Sequence, residues 1–382
     1  MNSVFFNKQL IYGLGALSET GKICRMMGDK ALVVTGKKSG TASGLLDKLL
    51  QSLVAEHISY KVFDQVRPNP TTEIIDEGKN IGIKLKASVV IGLGGGSSLD
   101  TAKAISGMLT HVGSVTEYLE IEKDHKKISC DPIPMIAIPT TAGTGSEVTK
   151  NAVINHSLKK LKRSLRSEKL LPQVAILDPS VLSTAPELVL ASSAMDALTQ
   201  LIEPFTGKKT HPFIDLLCQD GMGLIKENIT GFIKDPKDHE KGLKLQMASY
   251  FSGVALANAG LGVVHALARP FGGRYDLPHG MVCAILLPYI TRLNFDHNPQ
   301  KYILISHILG IKKSSDKLTS GDLCEKIFEM NKVLHIPRDF KSFSIPIDDL
   351  DSIIEDAQGG SWKNNPRDFT KNEIKELLLK LI

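Results

Sequence analysis

Four residues of this chain carry side chains that are suited to binding a divalent metal. Asp196 and Gln200 lie four residues apart in the helical segment SSAMDALTQLIEPF, so their side chains leave the same face of a helix. His265 lies in VVHALARPFGG, and His279 follows a proline in YDLPHGMVCAIL. A carboxylate, an amide oxygen and two imidazoles make a four-donor set for a divalent metal. The amide is the weakest of these donors because it is neutral.

The spacing leaves a second interpretation open for each of these residues. We expect Gly272, Gly273 and Pro278 to interrupt any helix between the two histidines, so the spacing does not bring the imidazoles together. A buried histidine is more often a hydrogen-bonded core residue than a ligand, and an aspartate on a helix is usually a cap or a solvated side chain.

The segment GLGGGSSLDTAKAI (92–105) has the composition of a phosphate-binding loop. Gly94, Gly95 and Gly96 let the backbone approach a phosphate closely, and Ser97 adds a hydroxyl where a helix begins. The positive end of that helix favours an anion. The segment is not a P-loop, because no Lys-Ser/Thr pair follows the glycines, and Ser97 replaces the last glycine of the dinucleotide motif GxGxxG. A tight turn without a ligand is the alternative.

This glycine loop follows one of several strands that alternate with helices in the first half of the chain. The apolar runs that predict strands lie at 30–36, 59–66, 87–96, 134–141 and 173–179. Helical patterns follow the first three, and this alternation predicts βαβ units in a mostly parallel sheet. A second loop of small residues and hydroxyls, PTTAGTGSEVT (139–149), also follows a strand, and ligands bind at the carboxyl ends of such strands.

From about residue 182 onwards, apolar residues recur at helical spacing. The segments that we expect to be helical lie near 184–205, 213–233, 241–260, 281–294, 301–310, 319–334, 347–357 and 370–382. The last of these opens with Thr370 and Glu373 at the spacing of a capping box. We therefore predict an α/β dinucleotide-binding domain over residues 1–181 and an all-helical domain over residues 182–382.

Composition and charge disfavour several classes of protein. The 382 residues are 42% hydrophobic and 23% charged, as in ordinary globular proteins. The net charge of +5 is modest and the basic residues are scattered, so we expect no nucleic-acid partner. The five cysteines form no CxxC pair, which argues against a disulfide framework. Without a signal peptide or a run of about 18 apolar residues, we expect a cytoplasmic protein with no membrane partner.

Taken together, the motifs resemble those of the iron-containing (group III) alcohol dehydrogenases. They are GGGSSLDTAKAI, IPTTAGTGSEVT, LDPSVLSTAPELV, MDALTQLIEPF, HALARPFGGRYDLPHG and NNPRDFT, and the resemblance runs in order from about residue 8 to the end. It implies a dehydroquinate-synthase-like fold, in which a Rossmann-like dinucleotide-binding domain precedes a helical one. It also implies hydride transfer between NAD(P) and a small alcohol or aldehyde, and a homodimer or larger homo-oligomer.

The resemblance also implies roles for individual residues. The metal ligands of the family, usually Asp, His, His and His, fall on Asp196, Gln200, His265 and His279, and one branch that reads DALTQLIEP has the same glutamine. The residues that fall at the cofactor are Gly94, Gly95, Gly96, Ser97, Asp100, Thr140, Thr141, Thr144 and Lys162. Of these, Gly95 to Ser97 lie at the pyrophosphate and the threonines lie beside the nicotinamide and ribose. A solvated surface position is the alternative for Lys162.

Arg269 departs from the family pattern. It stands one turn beyond His265, where many members have a second histidine. Arginine is permanently charged, so it cannot relay a proton as histidine does. It can pair with an anionic group on the substrate, and we count it with Asp196, His265 and His279 as a predicted catalytic residue. A salt bridge between the domains is the alternative.

The end of the first predicted strand bears on the choice between NAD and NADP. Members of the family that prefer NAD tend to have an acidic residue there, which binds the ribose 2′-hydroxyl. Gly36 stands at that point and is followed by Lys37 and Lys38, which can meet a 2′-phosphate. We therefore expect NADP in preference to NAD, unless the lysines are only solvated charges.

Three functions remain open on the sequence. The first is an alcohol dehydrogenase or aldehyde reductase in which a divalent metal polarises the substrate oxygen. The second is a metal-independent NAD(P)H reductase similar to the maleylacetate reductases. The third is a non-catalytic nucleotide-binding protein whose metal site has decayed. Gln200 is the residue that keeps the last two open.

Overall fold

The chain folds into two units. The computed structural model describes residues 3–37, 44–121, 124–157 and 161–382. The first unit comprises Met1–Ala185 and Pro236–Gln246, and the second comprises Pro186–Asp235 and Met247–Ile382. All five cysteines are free thiols, as the sequence predicts.

A parallel six-stranded sheet forms the centre of the first unit and confirms the predicted α/β class. The strands are β1 (Gln9–Tyr12), β2 (Lys30–Gly36), β3 (Ser59–Val66), β4 (Val89–Gly94), β5 (Met135–Pro139), β6 (Asn151–His156), β7 (Leu161–Arg166) and β8 (Val174–Leu177). The helices of this unit are α1 (Thr20–Met27), α2 (Leu45–Ala55), α3 (Thr72–Leu85) and α4 (Gly96–Met108). The sheet has the order β1-β8-β5-β4-β2-β3, with β6 and β7 outside it.

The central strands are the ones that the sequence predicts best. All residues of β4 and β5 are buried, and β2 is buried except at its two ends. A strand that is covered on both faces has an unbroken apolar run rather than an alternating pattern. The runs VVIGLG and MIAIP therefore predict β4 and β5 directly. The predicted bounds 30–36 and 59–66 coincide with those of β2 and β3.

Three strands, β1, β6 and β7, are not predicted from the sequence. β1 has only four residues, none of them buried. β6 and β7 form a separate antiparallel hairpin in which Asn151 pairs with Arg166 and His156 with Leu161. β7 has the sequence LKRSLR, with one buried residue, so neither its composition nor its hydrophobicity marks it as a strand.

A fully buried lysine ties the second loop to α4. The ammonium group of Lys103 donates hydrogen bonds to the hydroxyls of Ser146 and Thr149, at 3.0 and 2.9 Å. It also donates to the backbone carbonyl of Asn151 at 2.7 Å, where β6 begins. Three oxygen acceptors around one buried cation satisfy its donors, and they hold the segment from Ser146 to Asn151 against the helix.

The second unit is helical, as the sequence predicts. Its helices are α5 (Glu187–Thr206), α6 (Pro212–Lys234), α7 (His239–Ala259, of which the first residues belong to the first unit), α8 (Val263–Arg274), α9 (His279–Asn294), α10 (Pro299–Ile308), α11 (Ser320–Val333), α12 (Leu350–Ala357), α13 (Gly360–Asn364) and α14 (Lys371–Leu379). The predicted capping box opens α14, since the hydroxyl of Thr370 accepts from the Glu373 N–H and the Glu373 carboxylate accepts from the Thr370 N–H.

One expectation about the second unit is wrong. Gly272 and Gly273 do not interrupt the chain after His265, because α8 continues through both to Arg274. The helix tolerates Pro270 as well, eight positions into its length. The break falls instead between Arg274 and His279, and Pro278 occupies the position just before α9. Packing of the buried side of α8 outweighs the low helix propensity of glycine.

Among the described residues, no single helix is long and apolar enough to cross a membrane. Helices α7 and α8 satisfy the length and composition requirement only as a bent pair.

A buried carboxyl in the first unit leads to a prediction about stability and pH. Glu147 is 1% exposed, and its Oε1 atom has no hydrogen-bond partner. Burial raises the pKa of Glu147 to about 7, against the opposing effects of a backbone hydrogen bond and the charge of Lys103. Between pH of about 4.5 and 7 the folded chain therefore holds a proton that the unfolded chain has lost. The free energy of unfolding falls as the pH rises through that window.

We expect Glu147→Gln to remove this penalty and to stabilise the protein at pH 8 by up to about 3 kcal/mol, with little effect near pH 4.5. Urea unfolding at several pH values measures the difference. Glu77→Gln, which changes an exposed carboxyl on α3, is the control. Equal free energies for the wild type and Glu147→Gln across the range would contradict the prediction.

Candidate functional site

Helix α5 presents a row of polar side chains to the interior of the second unit. Asp196, Gln200 and Glu203 are 2, 3 and 5% exposed, although most neighbours on the helix are apolar. Their spacing of four and then three residues places them on one face. Buried polar groups need partners, so this row requires polar or ionic contacts from other helices.

Two further helices supply the histidines. His265 lies in the first turn of α8 and is 6% exposed, and His279 is the first residue of α9. Glycine at the next position allows α9 to begin close to α5, because a Cβ atom on Gly280 would lie 2.3 Å from the backbone oxygen of Ser192 and 3.1 Å from the Cβ of Asp196. Any larger residue at 280 would push His279 away from Asp196.

The side chains of Asp196, His265, His279 and Cys283 converge. The Oδ1 atom of Asp196 lies 3.3 Å from Nε2 of His265 and 3.8 Å from Nε2 of His279. Cys283 is one turn beyond His279 on α9, and its Sγ atom lies 3.7 Å from the same Nε2. One donor atom from each of the four residues lies within 4.8 Å of all the others. This is a cluster of metal-ligand atoms rather than a set of separate core residues.

The cluster contains buried polar atoms without hydrogen bonds. Oδ1 of Asp196 and Nε2 of His265 have no hydrogen-bond partner even though both are out of contact with solvent. Leaving two such atoms unsatisfied costs about 1–3 kcal/mol each. A cation between them satisfies both, so the residues fit a divalent metal.

Glu203 fixes the ring of His265. Its Oε2 atom accepts a hydrogen bond from Nδ1 at 2.7 Å, and its Oε1 atom accepts from the backbone N–H of Val264 at 2.7 Å. A carboxylate only accepts, so Nδ1 carries the proton and the lone pair of Nε2 is directed at Asp196. A carboxylate behind a ligating histidine is a recurrent feature of metal sites.

The electrostatics of the cluster favour positive charge. Burial alone would lower the pKa of His265, but the neighbouring Cys283 and Glu203 and the contact with Asp196 raise it well above its usual range. Burial likewise opposes ionisation of Asp196, but the two histidines hold the pKa of Asp196 below its ordinary value. The same negative surroundings that favour a proton on Nε2 also favour a metal in its place.

Gln200, a predicted ligand, makes a different contact. Its amide Nε2 donates to the hydroxyl of Ser252 on α7 at 3.1 Å, and that hydroxyl donates in turn to the backbone oxygen of Ser249 at 2.7 Å. The role of Gln200 as a metal ligand stays a prediction.

Arg269, the other departure from the family pattern, lies one turn beyond His265 on α8 and is half-buried. Its guanidinium donates to the backbone oxygen of Asp356, in the last turn of α12. This contact lies within the second unit, and a cation at the end of a helix is favourable there.

The sequence prediction missed Cys283 and Glu203. Both carry a signal that spacing could have revealed, because Cys283 stands four residues after His279 and Glu203 stands seven after Asp196. Each therefore shares a helix face with a residue that the sequence already singled out. A CxxC pattern does not detect a single cysteine, and Glu203 lies inside the motif MDALTQLIEPF.

The predicted cofactor loops of the first unit lie side by side. β4 and β5 are neighbours, with Gly94 paired to Pro139 at their carboxyl ends. The backbone N–H of Thr140 donates to the carbonyl of Gly94 at 3.0 Å, so both loops leave the same edge of the sheet. Thr140 is buried, while Thr141 is partly exposed. This edge is where ligands of parallel sheets bind.

The glycines also have a structural role in this unit. A Cβ on Gly96 would lie 2.9 Å from the Cγ2 of Thr144, and a Cβ on Gly95 would lie 3.4 Å from that of Thr141. Glycine therefore lets the two loops pack against each other. Gly95 precedes the first residue of α4, so the N–H groups of the first turn and of Ser97 face the loop region.

The structure gives Asp100 a role within the fold. One carboxylate oxygen accepts from the hydroxyl of Ser146 at 2.5 Å, and the other accepts from the backbone N–H of Val153 at 2.9 Å. Both oxygens are thus engaged by the protein itself. A direct role of Asp100 at the cofactor stays a prediction.

The remaining cofactor candidates are on three segments. Gly36 ends β2, and Lys37 follows it as an exposed residue at the same sheet edge as the two loops. Lys38 lies outside the described residues. Lys162 lies in β7, opposite Asn155 of the hairpin. The roles of Gly36, Lys37 and Lys162 at a cofactor stay predictions.

The hydrogen bonds of Glu203 lead to a test of the cluster. We expect Glu203→Gln to lower the affinity for Zn²⁺ by about 10–100-fold, because the amide turns one of two acceptors into a donor that faces another donor. Competition with a chromophoric chelator measures the affinity. Glu227→Gln, an exposed change on α6, is the control. An unchanged dissociation constant in Glu203→Gln would show that the carboxylate does not support the site.

Comparison with known proteins places the whole chain in one family. Residues 7–179 match the family model of iron-containing alcohol dehydrogenase, and residues 190–382 match that of the C-terminal region of the Fe-containing alcohol dehydrogenase family. The chain is 30% identical to alcohol dehydrogenase 4 of Saccharomyces cerevisiae over 97% of its own length and 95% of the relative's. It is 33% identical to 1,3-propanediol dehydrogenase of Citrobacter freundii, with 96 and 95% covered.

A solved structure agrees with these matches. The alcohol dehydrogenase from Oenococcus oeni superposes with a TM-score of 0.93 at 30% identity, and all of both chains is covered. The parallel sheet and the helical second part of the chain are therefore those of a known architecture. The chain belongs to the iron-containing alcohol dehydrogenase family.

Proposed function

We propose that this protein interconverts small alcohols and aldehydes with NADP(H), using a divalent metal held by Asp196, His265 and His279. The observation that carries the proposal is the pair of buried, unpartnered atoms, Oδ1 of Asp196 and Nε2 of His265, 3.3 Å apart. Without a metal, two buried polar atoms that lack hydrogen bonds lower the stability of the fold, and a bound cation removes that cost. Fe²⁺ and Zn²⁺ both accept nitrogen and oxygen donors of this kind.

The proposed reaction removes a hydride from the carbinol carbon and a proton from the hydroxyl. The nicotinamide accepts the hydride, and the proton leaves to water, so an alcohol and NADP⁺ give an aldehyde, NADPH and H⁺. The metal, when bound, acts as a Lewis acid towards the substrate oxygen. The reverse direction reduces the aldehyde.

The chain's own residues hold these groups in place. Glu203 holds the proton on Nδ1 of His265 and directs Nε2 into the cluster, and Gly280 keeps α9 close to α5. His279 has a side chain that is 38% exposed, whereas those of Asp196 and His265 are 4 and 5% exposed. The cluster is thus closed on the side of the core and open at His279, which leaves a path for substrate.

In the first unit, the N-terminus of α4 is the proposed pyrophosphate site. Its first N–H groups and the positive end of the helix favour an anion, and the glycines before it leave room for one. The preference for NADP over NAD rests on Gly36 and Lys37, since no carboxylate stands at the end of β2 and a cation follows. The proposed substrates are short, in keeping with the propanediol named for one relative.

The test measures oxidation of NADPH and NADH by a panel of short aldehydes. We expect activity with the metal-loaded wild type, a higher kcat/KM with NADPH, and a loss of at least about 100-fold in Asp196→Ala, because Lewis-acid stabilisation is worth several kcal/mol. Activity that survives removal of the metal by a chelator would identify a metal-independent reductase. Metal binding without oxidation of either nucleotide would identify a non-catalytic protein.

Arg269 provides a test of substrate class. We propose that it favours aldehydes that carry a carboxylate or phosphate, since it lies one turn beyond His265 on the same helix. Arg269→Ala should then lose activity selectively on acidic aldehydes and keep its activity on neutral ones of equal length. A uniform loss on both groups would assign Arg269 to holding α12 through Asp356 instead.

A further inference from the structure

We propose that the thiolate of Cys283, rather than the amide of Gln200, is the fourth protein ligand of the metal, and that this ligand set selects zinc over iron. The inference rests on the proposed metal site of Asp196, His265 and His279, and adds a donor to it. Cys283 is fully buried on α9, one turn beyond His279, and both residues belong to the cluster.

The distances suit a tetrahedral ion. Zinc binds nitrogen and oxygen at about 2.0–2.1 Å and sulfur at about 2.3 Å, so ligand atoms at the corners of a tetrahedron lie about 3.3–3.7 Å apart. The three measured edges are 3.3 Å between His265 and Asp196, 3.8 Å between His279 and Asp196, and 3.7 Å between Cys283 and His279. All four donor atoms lie within 4.8 Å of one another, so side-chain shifts of about 1 Å bring the remaining pairs to tetrahedral spacing.

The contact of Gln200 with Ser252 engages the nitrogen of its amide. The hydroxyl of Ser252 has one proton, which it donates to the backbone oxygen of Ser249. It must therefore accept at its contact with Gln200, so the facing atom of the amide is Nε2, and Oε1 is the only atom of this side chain that can bind a metal. An amide oxygen is neutral and a weaker donor than a thiolate. Gln200 joins α5 to α7 through this bond.

A sulfur ligand determines which metal the site prefers. Thiolate is a soft donor that favours zinc, and Zn²⁺ also binds a given site more tightly than Fe²⁺. As the metal–sulfur bond forms, the thiol proton is released to solvent and no electron is transferred. Zinc accepts a fifth ligand, so four protein donors still leave a position for substrate.

The test uses the full-length chain, stripped of metal and reloaded with Co²⁺ as a spectroscopic probe. A thiolate ligand gives a sulfur-to-cobalt charge-transfer band in the near ultraviolet. We expect this band in the wild type, in Gln200→Leu and in Cys324→Ser, a buried cysteine on α11 outside the cluster. We expect it to be absent in Cys283→Ser.

A second measurement records which metal the protein takes when Zn²⁺ and Fe²⁺ are supplied in equal amounts without oxygen. The ratio of bound zinc to bound iron should exceed about 10 in the wild type. In Cys283→Ser this ratio should fall at least about tenfold, because the loss of even a hydrogen-bond partner of a ligand lowers metal affinity by about 10–100-fold.

The results separate the two proposals. Cobalt that binds to the wild type without a charge-transfer band would overturn the role of Cys283 and leave the proposed function intact. A band that persists in Cys283→Ser would do the same. Failure of the wild type to bind cobalt at all would overturn the metal site itself, and the ligand with it. The wild-type spectrum decides the matter even where Cys283→Ser does not fold.

Discussion

The second unit depends on a buried carboxylate, that of Asp196, which faces two imidazole rings. Asp196 is almost completely removed from water, and its Oδ1 atom faces imidazole nitrogens instead of N–H donors from the backbone. Burying an ionised carboxylate is costly unless it is paired. The positions of α8 and α9 follow from this requirement, because each contributes one histidine to the same oxygen, and a glycine at 280 removes the steric barrier to their approach.

In the first unit, a buried cation plays the corresponding part. Lys103 holds Ser146, Thr149 and the start of β6 against α4, while Asp100 on the same helix binds the neighbouring hydroxyl and the backbone of Val153. The second loop is thus fixed from behind by side chains of α4, and its front meets the glycine loop at Thr141 and Thr144. A loop fixed in this way needs little reordering when it binds a ligand, which lowers the entropic cost of binding.

The sequence predicted those parts of the structure in which a local pattern and the tertiary environment agree. The strands β2 and β4 are buried on both faces and therefore have unbroken apolar runs, and Thr370 with Glu373 encodes a cap by itself. The hairpin of β6 and β7 could not be predicted in this way, because only Leu165 of LKRSLR is buried and the segment has no alternating apolar pattern. For the cluster, the sequence predicted Asp196 and the two histidines. The spacing of Cys283 from His279 indicates a shared helix face, but the packing of α5, α8 and α9 is needed to show that its thiol joins them, and that the amide nitrogen of Gln200 binds Ser252.

The short connection between α8 and α9 has a consequence for how sequences of this kind can vary. Tyr275 to Pro278 span the gap between a helix that carries one histidine in its first turn and a helix that begins with the other. Within this connection Asp276 adopts a left-handed conformation, with φ of 54°. Insertion of one residue would lengthen the connection by up to about 3.5 Å, so that the start of α9, and with it His279, could move away from Asp196. The length of this connection is therefore constrained more tightly than its composition, and gaps in alignments of related chains should avoid it.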